Sequence, residues 1–186
     1  MLALSHFIIS CASFEDARHE LYKMGIKSSF NEDIAIFTTL QHAKNNHNNY
    51  YIQECNGLIL ERNTWNPLVI PTKTLRYNIK NDITNKYLHQ GLYKIYRVND
   101  GTSFNMYYYK DKWNISTNKG YYMNDVKWDD KLTYQEIIIE CLNKLNITWD
   151  EFINSLNIDY CYSFGFKHIL MQKFVEHNYQ PVWFIQ

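Results

Sequence analysis

The chain has 186 residues, of which 46% are hydrophobic, and its 19 basic and 19 acidic side chains give a net charge of zero. This length suits one domain, and the hydrophobic share excludes an intrinsically disordered chain. Neutrality excludes the strongly basic surface of a protein that binds nucleic acid over its whole face, although a local basic groove stays compatible with it.

The cysteines and the N-terminus carry little functional signal. The four cysteines are widely spaced and form no CxxC pair, which favours buried, reduced thiols over a zinc site. The first residues lack the basic region and the cleavage site of a signal peptide, and no apolar run approaches the about 18 residues of a membrane span. We therefore predict a cytoplasmic protein without a membrane partner.

The first third of the chain predicts one helix followed by strands. Ser13 precedes apolar residues at helical spacing that end near Gly25, which indicates a helix over residues 14–24. The segments after it lack that spacing. Strands are expected over 33–40, 57–61 and 68–71, the last two as a hairpin, with a polar loop over 45–49.

The remainder predicts more strands and one helical pair. Strands are expected over 92–98, 102–109, 113–117 and 159–166, with Asp100-Gly101 and 110–112 as turns and extended segments at 172–175 and 182–185. Thr133 with Glu136, and Thr148 with Glu151, have the spacing of helix capping boxes, so two helices are expected over 133–156 with a turn near Asn146. Hairpins interrupted by a helical pair favour an α+β fold.

Several segments, taken in order, resemble the adenylyltransferase domain of RNA ligase 1 of T-even phages and its viral and fungal relatives. They are E-C-N-G at 54–57, L-R-Y-N at 75–78, R-V-N-D-G at 97–101, N-K-G at 118–120, F-G-F at 164–166 and Q-K-F-V at 172–175. The resemblance covers about residues 30–186. It implies a single domain over 1–186, with the antiparallel sheets of a nucleotidyltransferase core, similar to the ATP-grasp-like RNA ligases, and an inserted helical pair.

The residues that match the family's motifs are the candidates for nucleotide or RNA binding. The resemblance implies such contacts for Glu54, Asp100, Gly101, Lys119 and Lys173. The departures lie at charged positions: the family's nucleophilic lysine falls on Val98, and its F-E-F glutamate falls on Gly165. An arginine and a further lysine of the family fall on Asn56 and Leu75, and its later acidic and K-x-K strands have no counterpart in these 186 residues.

With Val98 at the position of the family's nucleophilic lysine, the chain lacks the amine that the family's reaction requires. A lysine amine attacks the α-phosphate of ATP through its lone pair, and valine has none. Arg97 faces the other side of the predicted strand and stays protonated. Lys94 lies on the same face but four residues away, roughly 13 Å along a strand, which exceeds the reach of its side chain. No catalytic residue is therefore assigned, and Val98 and Gly165 are degenerate positions.

The sequence thus predicts an RNA-ligase-like, non-catalytic and virus-encoded protein that serves as an RNA-binding or protein-interaction module, with a viral or host partner. The alternative is an active ligase with a displaced nucleophile, or one completed by a second chain, and only that alternative implies ATP and magnesium as cofactors. A third reading is an unrelated α+β domain. No metal site is expected, because His42 and His47 have asparagine neighbours that favour a solvated loop.

The aromatic run 107–113 and Tyr121-Tyr122 have two readings. Beside Lys110, Lys112, Lys119 and Lys127 they could stack RNA bases. The simpler reading is an ordinary strand face with core and rim aromatics.

Overall fold

The computed structural model describes residues 2–43, 49–71, 101–128, 130–166 and 168. It contains two antiparallel sheets that face each other, each covered by helices on its outer side. The expected α+β fold with antiparallel sheets is confirmed. None of the helices in the described part of the chain has the length and apolar character that crossing a bilayer requires.

The first sheet, sheet A, has four strands in the order β1-β2-β3-β4. Its strands are β1 (Ile26–Phe30), β2 (Ile34–Thr39), β3 (Asn56–Glu61) and β4 (Pro67–Val69). The helices α1 (Ala3–Ser10), α2 (Phe14–Lys23) and α3 (Tyr50–Glu54) belong to this half of the molecule, and a 3-10 turn over Gln41–Ala43 follows β2.

Both faces of sheet A are buried, which explains its continuous apolar strands. Phe37 and Leu58 point to the helices, where they pack with Leu4 and Leu21. Residues at the alternate positions, such as Ile36, point to the second sheet.

The second sheet, sheet B, has three strands in the order β6-β5-β7. Its strands are β5 (Thr102–Tyr109), β6 (Lys112–Ser116) and β7 (Tyr162–Phe166). The helices α4 (Tyr134–Asn143) and α5 (Trp149–Asn154) lie on its outer side, where the buried Ile137 and Cys141 of α4 pack with Phe104 and Phe164. Each of these helices begins with a capping box in which the threonine hydroxyl and the glutamate carboxylate bond each other's main-chain N–H groups.

The two sheets meet around Tyr107. Its ring is 1% exposed and packs with Ile34, Ile36, Ile59 and Val69 of sheet A. Its hydroxyl donates a hydrogen bond of 2.6 Å to the main-chain oxygen of Tyr121, and burial raises the pKa of this phenol. This apolar cluster fixes the two sheets against each other.

Polar contacts close the same end of the interface. The Lys110 ammonium in the β5–β6 turn forms an ion pair with Asp33 in the β1–β2 turn. The Tyr109 hydroxyl donates to Glu61 Oε1 at 3.3 Å, and burial together with the charge of Glu61 raises the pKa of Tyr109. Both contacts join one sheet to the other.

Tyr107→Phe tests the contribution of this buried hydroxyl. We expect a loss of about 1–2 kcal/mol in the free energy of unfolding, because the Tyr121 carbonyl loses its partner. Tyr108→Phe is the matched control: Tyr108 lies on the other face of β5 and is expected to change stability by less than about 0.5 kcal/mol. Urea denaturation measures both, and equal effects would contradict the assignment of the two faces.

Most expected elements are confirmed, with small shifts of their ends. The helix expected over 14–24, the hairpin of β3 and β4, the pair β5 and β6 and the capped helical pair are all present. The strand expected over 159–166 begins later, at Tyr162. Most of the expected loop 45–49 lies outside the described residues, and its last residue, Asn49, caps α3 by accepting from the Tyr51 N–H.

Three elements were not expected from the sequence: α1, β1 and α3. The segments expected over 92–98, 172–175 and 182–185 lie outside the described residues.

Candidate functional site

The candidate site is the polar half of the cleft between the two sheets. Strand alternation places Ser103 and Asn105 of β5 on the same face as Tyr107, which looks towards sheet A. Ser103 is exposed while Asn105 is 9% exposed, so the cleft opens at the start of β5. That start directly follows the expected Asp100-Gly101 turn.

A row of polar side chains crosses sheet B in this half of the cleft. The Ser163 hydroxyl on β7 donates to Asn105 Oδ1 at 2.7 Å, and Asn105 Nδ2 donates to Ser116 Oγ on β6 at 3.3 Å. We call Ser163, Asn105 and Ser116 the polar row. The row places neutral hydrogen-bonding groups between the sheets, next to the apolar cluster around Tyr107.

Gly57 brings two of the motif segments together. It belongs to E-C-N-G, has a φ of +97°, and lies against the segment that leads into Lys119-Gly120. A Cβ at position 57 would stand 2.7 Å from the Asn118 Cα and 3.2 Å from the Thr117 carbonyl oxygen. Only glycine permits this approach, because both the positive φ and the main-chain contact exclude a side chain.

Lys119 lies in the turn that Gly57 contacts. Its main-chain N–H donates to the Thr117 hydroxyl at 3.2 Å, and the Thr117 N–H donates to the Gly120 carbonyl at 2.9 Å. The turn is thus held by its own hydrogen bonds while the Lys119 residue is exposed. The predicted binding residue Lys119 is therefore available to an anionic ligand beside Gly57.

Gly165 lies opposite the mouth of the cleft. It pairs with Ser103 across β5 and β7, two residues from Ser163 of the polar row. Since side chains alternate, position 165 shares the cleft face with Ser163. The glycine supplies no carboxylate at this position.

Glu54 and Cys55 lie on the helical side of sheet A. Glu54 ends α3, and its Oε2 accepts from the Leu4 N–H in the first turn of α1 at 3.2 Å. Cys55 is fully buried in the core beneath the helices, and burial raises its pKa. Gly57 is the residue of the E-C-N-G segment that contacts the turn containing Lys119 and Gly120, which we call the K-G turn.

The remaining candidates divide into two groups. Gly101 is described and exposed, immediately before β5. Val98, Asp100 and Lys173 lie outside the described residues, as does Leu75.

The structure divides the aromatic run between two faces of sheet B. Tyr107 and Tyr109 lie between the sheets with Tyr121 and Tyr122. Tyr108 and Trp113 lie on the outer face, with ring centroids 5.5 Å apart, and Trp113 continues to Tyr162. This arrangement agrees with the simpler reading, a strand with core and rim aromatics, because the period of two in a strand places neighbouring rings on opposite faces.

The polar row was missed at the sequence level. A signal exists in T-S-F-N-M-Y, where a serine and an asparagine alternate with apolar residues in a strand that is otherwise buried. Such alternation marks the face on which Asn105 lies. Its partner Ser116 lies on β6, which the local turn pairs with β5, whereas Ser163 lies on β7, whose pairing with β5 is not encoded locally.

Comparisons with known proteins point to RNA ligases in general. Two relatives, from a Kenyan pig isolate and a Malawian tick isolate of African swine fever virus, are each named "Putative RNA-ligase" and are 30% and 29% identical over 148 residues. In each case the match covers 71% of this chain and 33% of the relative, so the chain spans about a third of the length of the relatives it matches. No family model and no solved structure matches the chain.

The chain is therefore RNA-ligase-like in sequence, and its relatives are viral proteins. This agrees with the resemblance in its general form. The closer likeness to the T-even phage type depends on the motifs alone.

Proposed function

We propose that the chain is a non-catalytic, RNA-ligase-like module of a virus-encoded protein, which binds RNA in the cleft between its sheets. The observation that carries the proposal is the contact of Gly57 with Thr117 and Asn118, beside the polar row. Two motif segments that are far apart in the sequence meet there, at the mouth of a cleft with hydrogen-bonding groups. We extend the proposal to the fold: residues 1–186 form one domain with a nucleotidyltransferase core.

The chemistry of the cleft supports binding over phosphoryl transfer. Val98 offers no lone pair for attack on a phosphate, and Asn56 and Gly165 stand where the resemblance implies a cation and a carboxylate. Phosphoryl transfer depends on cations that neutralise the transferring group, and neither of these residues can do so.

The polar row has unused hydrogen-bonding capacity. Asn105 uses one of its two N–H donors and one acceptor site within the row. Its second N–H and second acceptor site have no partner among the described residues, and such a donor and acceptor pair is the pattern with which an asparagine amide recognises the edge of a base. Lys119 would contact the phosphate, and Gly101, Asp100 and Lys173 are proposed as further binding residues.

The viral relatives support the choice of RNA. Their name, "Putative RNA-ligase", gives RNA as the substrate, and the match covers 71% of this chain. Because the chain spans about a third of those relatives, we propose that it corresponds to their binding module and not to their whole activity.

Fluorescence anisotropy with a 5′-phosphorylated single-stranded RNA tests this function. Wild-type protein is expected to bind at low salt, with an affinity that falls as salt rises. Lys119→Ala is expected to weaken binding about threefold and to lower the slope of log affinity against log salt by about 1. Lys131→Ala is the control, because Lys131 is exposed just before α4, on the outer side of sheet B.

Two results would contradict the RNA-binding proposal. One is undetectable RNA binding at low salt, which would leave the protein-interaction module as the better account. The other is an equal effect of Lys119→Ala and Lys131→Ala, which would move binding away from the cleft.

A further inference from the structure

Strand β1 forms an open edge of sheet A. It pairs with β2 on one side, and among the described residues no strand lies on its other side. An edge strand presents a row of main-chain N–H and C=O groups that a further strand can use. Proteins recognise extended peptides in this way, with main-chain bonds for affinity and side-chain pockets for specificity.

The hydrogen bonds at the ends of β1 identify the groups that point outward. Leu40 N–H donates to the Gly25 carbonyl, and Asn31 N–H donates to the Ile34 carbonyl. In an antiparallel pair the bonded residues alternate, so Lys27 and Ser29 also bond to β2. The N–H and C=O groups of Ile26, Ser28 and Phe30 therefore point away from β2. Ile26 is 1% exposed, so the groups that a further strand can reach are those of Ser28 and Phe30. We call these two residues the free edge.

A cleft runs beside the free edge. It has a volume of about 320 Å³ and lies between α2 and β1. Ile26 and Ser28 line it from the strand, and Arg18 and Tyr22 line it from the helix. Tyr22 is 62% exposed and offers an apolar ring to the side chain of a bound chain.

The helix side of the cleft is rigidly built. Arg18 Nε donates to the Ser28 hydroxyl at 3.1 Å, and its guanidinium stacks on Phe30 at 4.5 Å from the ring centroid. Glu15 accepts two hydrogen bonds from Arg18 Nη1, at 2.7 and 2.8 Å. These contacts hold α2 against the strand and keep the wall of the cleft in place.

The charge of the cleft favours an acidic partner. Arg18 and Glu15 form an ion pair with each other, which leaves Lys27 as the charge of the lining that no described residue neutralises. Lys27 is exposed and forms no ion pair with a described residue.

We propose that the free edge and its cleft bind an extended acidic peptide segment of a partner protein, which adds to sheet A as a strand beside β1. The free edge supplies the main-chain bonds, and Lys27 and the cleft select carboxylates on the incoming strand. This surface lies outside the cleft between the sheets, so it is independent of RNA binding.

A second copy of this chain is a poorer occupant. Antiparallel pairing of two β1 strands about a two-fold axis would bring Lys27 and Arg18 of one copy close to the same residues of the other. Like charges in close pairing are destabilising, and a lysine on an edge strand is a known protection against self-association. The same lysine attracts an acidic strand.

Ser28→Pro tests the proposal, with Ser28→Ala as its control. Ser28 points its N–H outward, so proline removes a donor of the free edge and leaves the β1–β2 hydrogen bonds in place. Alanine removes the same hydroxyl bond to Arg18 but keeps the N–H. Thermal unfolding of both variants establishes that they are folded.

The probe is a fluorescein-labelled heptapeptide of alternating glutamate and threonine, whose binding is measured by fluorescence anisotropy. A peptide with lysine in place of each glutamate is the control. We expect wild type and Ser28→Ala to bind the acidic peptide alike. Ser28→Pro is expected to bind the acidic peptide about tenfold more weakly than wild type does. The wild-type protein is expected to bind the lysine peptide about tenfold more weakly than the acidic peptide. Hydrogen exchange of the Ser28 and Phe30 amides should slow when the acidic peptide binds.

Three outcomes would overturn the proposal. The first is no binding of the acidic peptide at millimolar concentration. The second is equal binding by wild type and Ser28→Pro. The third is a concentration-dependent dimer whose formation Ser28→Pro abolishes, which would make a second copy the occupant. Each outcome can occur whether or not the protein binds RNA in the cleft between the sheets.

Discussion

Val98→Lys is expected to restore neither a lysyl-adenylate nor RNA ligation. The substitution supplies an amine at the position of the nucleophile but none of the groups that act with it. Asn56 and Leu75 cannot balance the phosphate charge, and Gly165 cannot place a sugar hydroxyl or a metal ion. Catalytic groups that act as a unit recover little activity when one of several is repaired.

Ligation of a 5′-phosphorylated RNA with ATP and magnesium measures this prediction. Val98→Met is the matched control, since methionine has a long side chain without an amine. We expect the two variants to give the same background. Ligation by Val98→Lys but not by Val98→Met would contradict this prediction. It would mean that other residues of the protein bind the phosphates and that loss of the nucleophilic lysine alone inactivated it.

Gly57→Ala is expected to lower the free energy of unfolding by about 3 kcal/mol or more. The alanine must adopt a φ of +97°, which costs about 1–3 kcal/mol, and its Cβ would stand 2.7 Å from the Asn118 Cα. That neighbour is main chain and cannot turn aside as a flexible side chain does. For a domain of this size the midpoint of thermal unfolding should fall by about 6–12 °C.

Gly120→Ala provides the comparison within the same turn. An added Cβ there meets the Met123 sulfur at 2.2 Å, which is a flexible side chain that can move. We expect a loss below about 1 kcal/mol. If the two variants unfolded at the same temperature, the contact between E-C-N-G and the K-G turn, on which the proposed function depends, would be wrong.

Local chemistry explains which elements the sequence predicted. The capping boxes at Thr133 and Thr148 and the helix start at Ser13 depend on side chains a few residues apart, and all three form as expected. The strands β5 and β6 are predicted for the same reason, because a polar turn at Lys110-Asp111 separates two apolar runs. In the turn both residues have positive φ, which suits a tight hairpin.

The elements that were missed depend on tertiary packing. β1 reads Ile-Lys-Ser-Ser-Phe, with too few apolar residues to indicate a strand, and it is held by β2 and by α2. α1 is mostly apolar and shows no charged residue in its first or last turn, so it lacks the usual signals of a helix end. Its position is fixed from outside, where Glu54 accepts from its Leu4 N–H.

The candidate site was predictable in part. The segments E-C-N-G and N-K-G were identified from their order in the chain, and Gly57 and Asn118 lie in contact. The complete polar row was not predictable, because Ser163 reaches Asn105 only through strand pairing over a separation of 58 residues, although the predicted hairpin brings Ser116 to it over 11. Residue identity indicates which groups are available, and the register of the sheet decides which of them meet.

Intact-mass spectrometry of the wild-type protein after incubation with ATP and magnesium or manganese tests the central claim most directly. The account predicts an unchanged mass, because position 98 offers no amine and Lys94 lies roughly 13 Å along the predicted strand. A mass gain of one nucleoside monophosphate on the wild type, lost in Lys94→Ala, would contradict it and would make the protein a nucleotidyltransferase with a displaced nucleophile.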